Sequence, residues 1–315
     1  VKVEGVELCS TGSMTYTIIP ATVQTTGKSK LYLIDIDGTL VTSASGRRWA
    51  ADQNDWIFLG PVPATLNKLH AEGWIVALIT NQSDWKNGPA PEAKIKSVLA
   101  ALQEANGWAP WCLVATATRK ERDTLYRKPG RGLYDLLIKE LPPLTEVRMC
   151  GDAVGPTDPY PPYRWASSDA DFAAAISATF VRPCELFPSG PAILPAETQE
   201  LILLMGNPGS GKSTLGRDLA SYIHVEQDTM TSKAATKKAV IAALATGKSV
   251  VVDATHGSAT NREPYLTLGV PVRIVWFLRD GRPFNALREK PVPEVAYAVY
   301  SKHFVRPKGA VTIIY

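Results

Sequence analysis

Residues 31–40 read LYLIDIDGTL. Leu31 to Ile34 form an unbroken apolar run, the pattern of a strand buried on both faces. The run ends in Asp35 and Asp37, with Gly38 and Thr39 directly after. Burying even one unpaired carboxylate is costly, so two of them at a strand end call for compensation. Side chains two apart on an extended chain point the same way, so both carboxylates can address one ligand. Gly38 lets the chain turn closely past it. A divalent metal carrying a phosphate is one compensation; a solvated, capped strand end without chemistry is the other.

The same grammar repeats outward. WIVALIT (74–80) ends in Thr80, WCLVATA (111–117) in a polar loop and VRMCGD (147–152) in Asp152. Helical patterns lie between them: PATLNKLHAEG (63–73), PEAKIKSVLAALQEANG (91–107) and RGLYDLLIKEL (131–141). Strand alternating with helix predicts an α/β chain with a doubly wound parallel sheet, whose ligands gather beyond the carboxyl ends of the strands. Residues 155–168 are rich in proline and aromatic side chains and read as a loop, and 169–180 as a short helix. Periodicity fades over 184–200, and the grammar restarts with LILLMG (201–206), KSVVVDAT (248–255) and VRIVWFL (272–278). Two doubly wound domains are therefore expected, at 28–190 and 199–315, joined by a linker at 191–198. Residues 1–27 are expected to be an N-terminal extension, in which GSM at 12–14 has the look of a cloning remnant.

The 315 residues are 45% hydrophobic and 20% charged with net charge +4, ordinary for a globular protein and compatible with a polyanionic substrate. Cys9, Cys112, Cys150 and Cys184 show no metal-binding spacing, which favours free thiols in a reducing, intracellular setting, nuclear in a eukaryote. No apolar run approaches the ~20 residues of a membrane span, so no membrane partner is expected.

Two carboxylates converging at a strand end suit Mg²⁺ with substrate phosphate completing its shell. One can attack phosphorus, and a second can protonate the leaving alcohol and later activate water. Such a site also needs a hydroxyl and a cation on the phosphate and a further metal carboxylate; Thr80, Lys128 and Asp152 supply them in order. In the second half, GNPGSGKST (206–214) satisfies the P-loop pattern between a strand and a helix. Gly206, Gly209 and Gly211 expose backbone N–H groups to ATP phosphates at the start of a helix that runs on through Ser213 and Thr214. Lys212 reaches the β- and γ-phosphates, and Ser213 the Mg²⁺. Asp228 in HVEQDTM is either the base that accepts a substrate hydroxyl proton or an N-cap for the next helix. Asp253 either supports the substrate or metal site or caps its strand end.

DIDGTL, TNQ, YRKP and GDA together resemble the four motifs of the haloacid-dehalogenase (HAD) phosphatases. More narrowly, with LVATA and YRKPGRGLYDLL, they are similar to the phosphatase half of the polynucleotide kinase 3′-phosphatase family. GNPGSGKST, HVEQDT, VVVDAT and LREK (287–290) follow that family's kinase half in the same order. The resemblance implies a HAD-like Rossmannoid phosphatase followed by a P-loop kinase. It implies Asp35 as nucleophile, Asp37 as general acid/base, and Thr80 and Lys128 on the phosphate. Mg²⁺ would be held by Asp35, Asp152 and the Asp37 backbone carbonyl. Asp228 would be the kinase base and Arg288 a lid arginine, while Arg262 matches a basic position near the active site, its rival reading being a solvated helix charge. The upstream forkhead-associated domain of animal members has no counterpart in these residues. Gln227, Ala234, Ala235 and Ala254 depart from the family pattern, which bears on substrate handling.

The resulting expectation is a monomeric enzyme that removes 3′-phosphates from DNA ends and phosphorylates 5′-hydroxyls with ATP and Mg²⁺. The rivals are the same chemistry on RNA ends, a fused metabolite phosphatase and kinase, and an end-binding scaffold with one dead domain. Trp85 and Trp165 are candidates for stacking on a single-stranded 3′ end, flanked by Lys86, Arg119, Lys120, Arg122 and Arg164. His70, His224, His256 and His303 are assigned no catalytic role.

Overall fold

A computed structural model describes residues 15–23, 25–44, 50, 52–85, 88–118, 125–158, 166–187, 196–278, 281–307 and 311–314. Lys86, Arg119, Lys120, Arg122, Arg164, Trp165 and most of the expected linker lie outside the described residues. The chain divides into two compact units, Val1–Thr42 with Ala50–Pro188 and Ser43–Trp49 with Ser189–Tyr315.

The first unit holds β1 (Tyr16–Ile19), β2 (Lys30–Ile34), a small β3–β4 pair (Val41–Thr42 and Ile57–Phe58), α1 (Val62–Ala71) and β5 (Trp74–Asn81). It continues through α2 (Ala90–Asn106), β6 (Trp111–Ala115), α3 (Gly132–Leu137), β7 (Glu146–Cys150), α4 (Ser168–Ala175), β8 (Thr179–Val181) and α5 (Pro183–Leu186). Its six-stranded sheet runs β1-β6-β5-β2-β7-β8, parallel except at the β1–β6 edge. β2 is flanked by β5 and β7 in parallel, which is why its apolar run is continuous. Alternate residues feed two cores: Tyr32 and Ile34 pack with Leu66, Ile95 and Leu102 of α1 and α2, and Leu31 and Leu33 with Leu137 and Phe172 of α3 and α4. α2 buries Ile95, Val98, Leu99 and Leu102, helically spaced, and ends at Gly107 with φ +77°.

The second unit holds β9 (Leu201–Met205), α6 (Lys212–Asp218), β10 (Ile223–Glu226), α7 (Lys233–Leu244), β11 (Val250–Asp253) and α8 (Ala259–Leu266). β12 (Val272–Phe277), α9 (Arg282–Asn285), α10 (Val295–His303) and β13 (Val311–Ile314) complete it. Its five strands are ordered β10-β11-β9-β12-β13, all parallel. In each sheet the chain crosses to opposite sides of one central strand, β2 or β9, so each has a switch-point crevice at that strand's carboxyl end.

Two expectations differ from the structure. The helix expected over 169–180 ends at Ala175; Ser177 turns the chain at φ +55°, and the β-prone Thr-Phe-Val at 179–181 becomes β8 beside β7. Residues 16–19, expected within an extension, are instead β1, whose Tyr-Thr-Ile-Ile covers the open edge of β6.

Candidate active sites

At the β2 switch point, the Asp35 N–H continues the ladder to Cys150 O at 2.8 Å. Gly38 takes φ +83°, and a Cβ there would stand 2.3 Å from Asp152 Oδ2. That close approach to the Asp152 carboxylate is open to glycine alone.

Lys128 is buried, and its Nζ donates to Asp35 Oδ1 at 2.6 Å and to Ile79 O at 2.9 Å. It also stands 2.6 Å from Asp169 Oδ1, while Asp169 Oδ2 accepts from the Ala153 N–H at 3.0 Å. The Asn81 side chain grips the Lys128 backbone from both sides: Oδ1 accepts its N–H at 2.9 Å and Nδ2 donates to its carbonyl at 3.1 Å. Burial disfavours the ammonium, but Asp169 and Asp35 outweigh it and hold Lys128 above its ordinary pKa. Burial raises the Asp35 carboxyl; the Lys128 charge opposes the shift and Asp169 adds to it, leaving the value high.

Asp35, Asp152 and Asp169 each offer an oxygen within 4.8 Å of the others. Their all-oxygen donor set fits Mg²⁺. Thr80 is buried, its hydroxyl accepting from Gln82 Nε2 at 2.8 Å. The same Gln82 nitrogen donates to Asp37 Oδ2 at 2.6 Å, and Lys94 Nζ from α2 donates to Asp37 Oδ1. The structure thus brings Asp35, Lys128, Asp152 and Asp169 to one point and ties Asp37 to Thr80 through Gln82. Sequence reasoning missed Asp169 and Lys94. Asp169 sits in the first turn of α4, where an acid reads as helix-end solvation, and Lys94 reads as a surface lysine of an amphipathic helix. Trp85, offered as a stacking platform, is partly buried, with one part of its side chain packed against the core.

In the second unit, Leu204 pairs with Asp253 and Met205 with Trp276, so the P-loop leaves β9 level with the ends of its neighbours. Gly209 takes φ +78°, and a Cβ there would fall 2.4 Å from Gly281 O. Asn207 Oδ1 accepts the Gly281 N–H at 3.0 Å, and Tyr297 Oη donates to Pro208 O at 2.9 Å. Gly211 turns at φ +103° into α6, where Ser213 is half-buried and Thr214 exposed. Lys212 Nζ donates to Asn207 O at 2.7 Å. Burial lowers Lys212 to about 8, against the pull of Asp253 and Asp228 and with a smaller push from Arg288. These three groups therefore lie within electrostatic range of the P-loop lysine.

Asp228 is exposed in a single 3₁₀ turn, Gln227–Thr229, and does not cap α7; Ser232 does, accepting the Ala235 N–H at 3.1 Å. Asp253 is buried, its Oδ2 3.6 Å from His224 Nε2. Arg288 is exposed beyond α9. Arg262 is neither a solvated charge nor open to a substrate. It is 4% exposed, its Nη1 donating to His256 O at 2.7 Å and Gly257 O at 3.0 Å, and its Nη2 to Val305 O at 2.8 Å. Two carbonyls of the loop entering α8 and one from the segment after α10 take up the cation.

Fold and sites together define a two-domain α/β protein, a HAD-like unit followed by a P-loop unit. Residues 30–187 match the family described as Polynucleotide kinase 3 phosphatase, and the chain belongs to that family. Residues 201–282 match the family described as AAA domain. The chain is similar to the bifunctional polynucleotide phosphatase/kinase of Schizosaccharomyces pombe, 26% identical over 325 residues, covering 88% of this chain and 76% of the relative. It is also similar to a putative bifunctional polynucleotide phosphatase/kinase of Acanthamoeba polyphaga mimivirus, 27% identical over 251 residues, covering 58% of this chain and 60% of the relative. A crystal structure of D,D-heptose 1.7-bisphosphate phosphatase from B. bronchiseptica aligns at TM-score 0.36 and 22% identity, over 49% of this chain and 78% of that one. Among the described residues, no helix is long and apolar enough to cross a membrane.

Proposed function

We propose that this enzyme heals nucleic-acid ends, removing 3′-phosphates in its first unit and phosphorylating 5′-hydroxyls with ATP in its second. The observation that carries the reading is the buried Asp35–Lys128–Asp169 cluster at the β2 switch point, in a chain whose second unit sets a P-loop at the equivalent place.

In the first unit, an Asp35 oxygen attacks the phosphorus in line. The bond to the 3′-oxygen breaks, and Asp37 gives that oxygen its proton. Asp37 then takes a proton from the water that hydrolyses phospho-Asp35, returning both carboxylates to their starting state. Lys128 offsets phosphate charge beside Asp35, and the Thr80 hydroxyl holds a phosphate oxygen. Asp35, Asp152 and the Asp37 carbonyl would hold Mg²⁺, which when bound supplies a Lewis acid for the phosphoryl oxygens.

In the second unit, Lys212 exchanges the Asn207 carbonyl for ATP phosphate oxygens, and the N–H groups around Gly206, Gly209 and Gly211 line the loop. Ser213, with Thr214 beside it, would hold the Mg²⁺ that accompanies ATP. Asp228 accepts the 5′-hydroxyl proton, and Arg288 stabilises charge on the transferring phosphoryl group. Asp253 keeps Lys212 charged.

The test is a nicked duplex bearing 3′-phosphate and 5′-hydroxyl, incubated with Mg²⁺ and ATP and followed strand by strand. Asp35→Asn should abolish dephosphorylation alone and Asp228→Asn 5′-phosphorylation alone, each by ~10³-fold or more. Matching RNA ends run alongside. Faster turnover of RNA redirects the substrate assignment, and no reaction on either polymer rejects the reading.

A further inference from the structure

The most unusual feature of the first site is Lys94. Its side chain is 11% exposed, it comes from the first turns of α2, and its ammonium bonds Asp37. Burying an ammonium costs several kcal/mol unless it is paired. Packing does not call for it, since Ile95, Val98 and Leu102 already anchor the helix and an apolar side chain would fill the place. On the other side of the same carboxylate, Gln82 from the end of β5 holds Oδ2 at 2.6 Å and bridges to Thr80 Oγ1 at 2.8 Å. Two elements, α2 and the end of β5, thus converge on one carboxylate, which itself sits on the turn after β2.

We propose that Lys94, with Gln82, is a positioning residue that fixes the Asp37 carboxylate for proton transfer to the leaving oxygen. The inference rests on Asp37 being the general acid. Each carboxylate oxygen has two acceptor sites. Lys94 and Gln82 fill one on each, leaving the remaining lone pairs in a fixed direction instead of sweeping with the side-chain torsion. General-acid catalysis depends on such direction. The pair also spans elements that share no backbone ladder, so the orientation of Asp37 depends on α2 staying docked.

Leaving-group dependence separates this role from a merely structural one. A 3′-alkoxide must be protonated as it departs, whereas p-nitrophenolate departs without help. Lys94→Met and Lys94→Arg are compared with wild type and Asp37→Asn on a 3′-phosphorylated oligonucleotide and on p-nitrophenyl phosphate, reading single-turnover release of the leaving group. Kinase turnover of the same chain and the melting of the first unit serve as controls. For Lys94→Met the expected result is a loss of about 100-fold in the single-turnover rate constant on the oligonucleotide, with the half-saturating substrate concentration little changed, and a loss at least tenfold smaller on p-nitrophenyl phosphate. Lys94→Arg should recover part of the difference. Equal losses on both substrates, or none, overturn the inference. If Lys94→Met melts early, Lys94→Arg decides the matter, since its longer, planar head should still hurt the oligonucleotide more. An Asp37→Asn variant that itself shows no leaving-group dependence overturns the assignment of Asp37 and this inference with it. Dependence in Asp37→Asn without it in the Lys94 variants overturns this inference alone.

Discussion

His256 shows what a single buried side chain can impose. Its Nδ1 lies 2.8 Å from Leu204 O, and since a carbonyl only accepts, Nδ1 carries the proton and Nε2 the lone pair. Burial holds its pKa down at about 4 from an ordinary 6.5, with Lys212 and Arg262 adding to the shift. The unfolded chain therefore binds a proton near pH 6.5 that the folded chain refuses until about pH 4. The stability is fully present above pH 6.5 and is lost as the pH falls towards 4, by about 3 kcal/mol over the interval. Thermal melting of the second unit should fall steeply between pH 6.5 and 4.5, and His256→Asn, whose side chain tolerates the φ of +42°, should flatten that slope. An unchanged slope in the variant would assign the acid sensitivity to other groups. Legibility at this scale follows from position. Asp35, Asp37, Thr80 and Asp152 were readable because an apolar strand that ends in a reactive side chain is a local contrast; Lys128, in the loop before α3, was readable only within its YRKP motif. Asp169, Lys94 and Arg262 were not, because each sits on or beside a helix, where a charge ordinarily means solvent, and only the tertiary fold turns it inward.

At the scale of elements, the stretch from α9 to α10 is a clasp. Asn285, in the last turn of α9, accepts the Val292 N–H at 2.9 Å and donates to Val292 O at 2.8 Å, closing the loop that carries Arg288. The Asn285 N–H is anchored on Gly281 O at 2.8 Å, and Gly281 in turn donates to the P-loop's Asn207. A Cβ on Gly281 would fall 1.9 Å from Pro208 O, so the loop's base is seated directly against the phosphate-binding turn. Asn285→Ala should therefore free Arg288 from its register. We expect kinase kcat to fall about tenfold or more with ATP KM little affected, and phosphatase turnover to be unchanged. A rise in ATP KM with unaltered kcat would place the clasp in nucleotide binding instead. This arrangement had no signature in the sequence, since an Asn followed by Ala-Leu-Arg reads as ordinary helix and turn. β1 and β8 escaped for a related reason: edge strands of three or four residues are too short to show a period.

On the scale of the whole molecule, the two units repeat one solution. Each places its reactive groups beyond the carboxyl end of the central strand of a parallel sheet, where backbone ends and helix starts converge. Each also has its own core: that of the first unit is built on Leu33, Ile34, Leu66 and Phe172, and that of the second on Ile202, Leu204, Val251 and Phe277. Every assigned residue of the phosphatase site lies in the first unit, and every one of the kinase site in the second. This follows from domain logic, because a core that closes on itself positions a site without help from its neighbour. Fragments ending at Pro188 or beginning at Ser189 should then fold and keep one activity each, with kcat within about threefold of the full chain on single-stranded ends. Circular dichroism melts and turnover assays on the separate fragments make the check. A first fragment that is folded but inactive would mean that the phosphatase site depends on residues of the second unit. A second fragment that fails to fold would mean that the kinase unit needs residues before Ser189 for its stability.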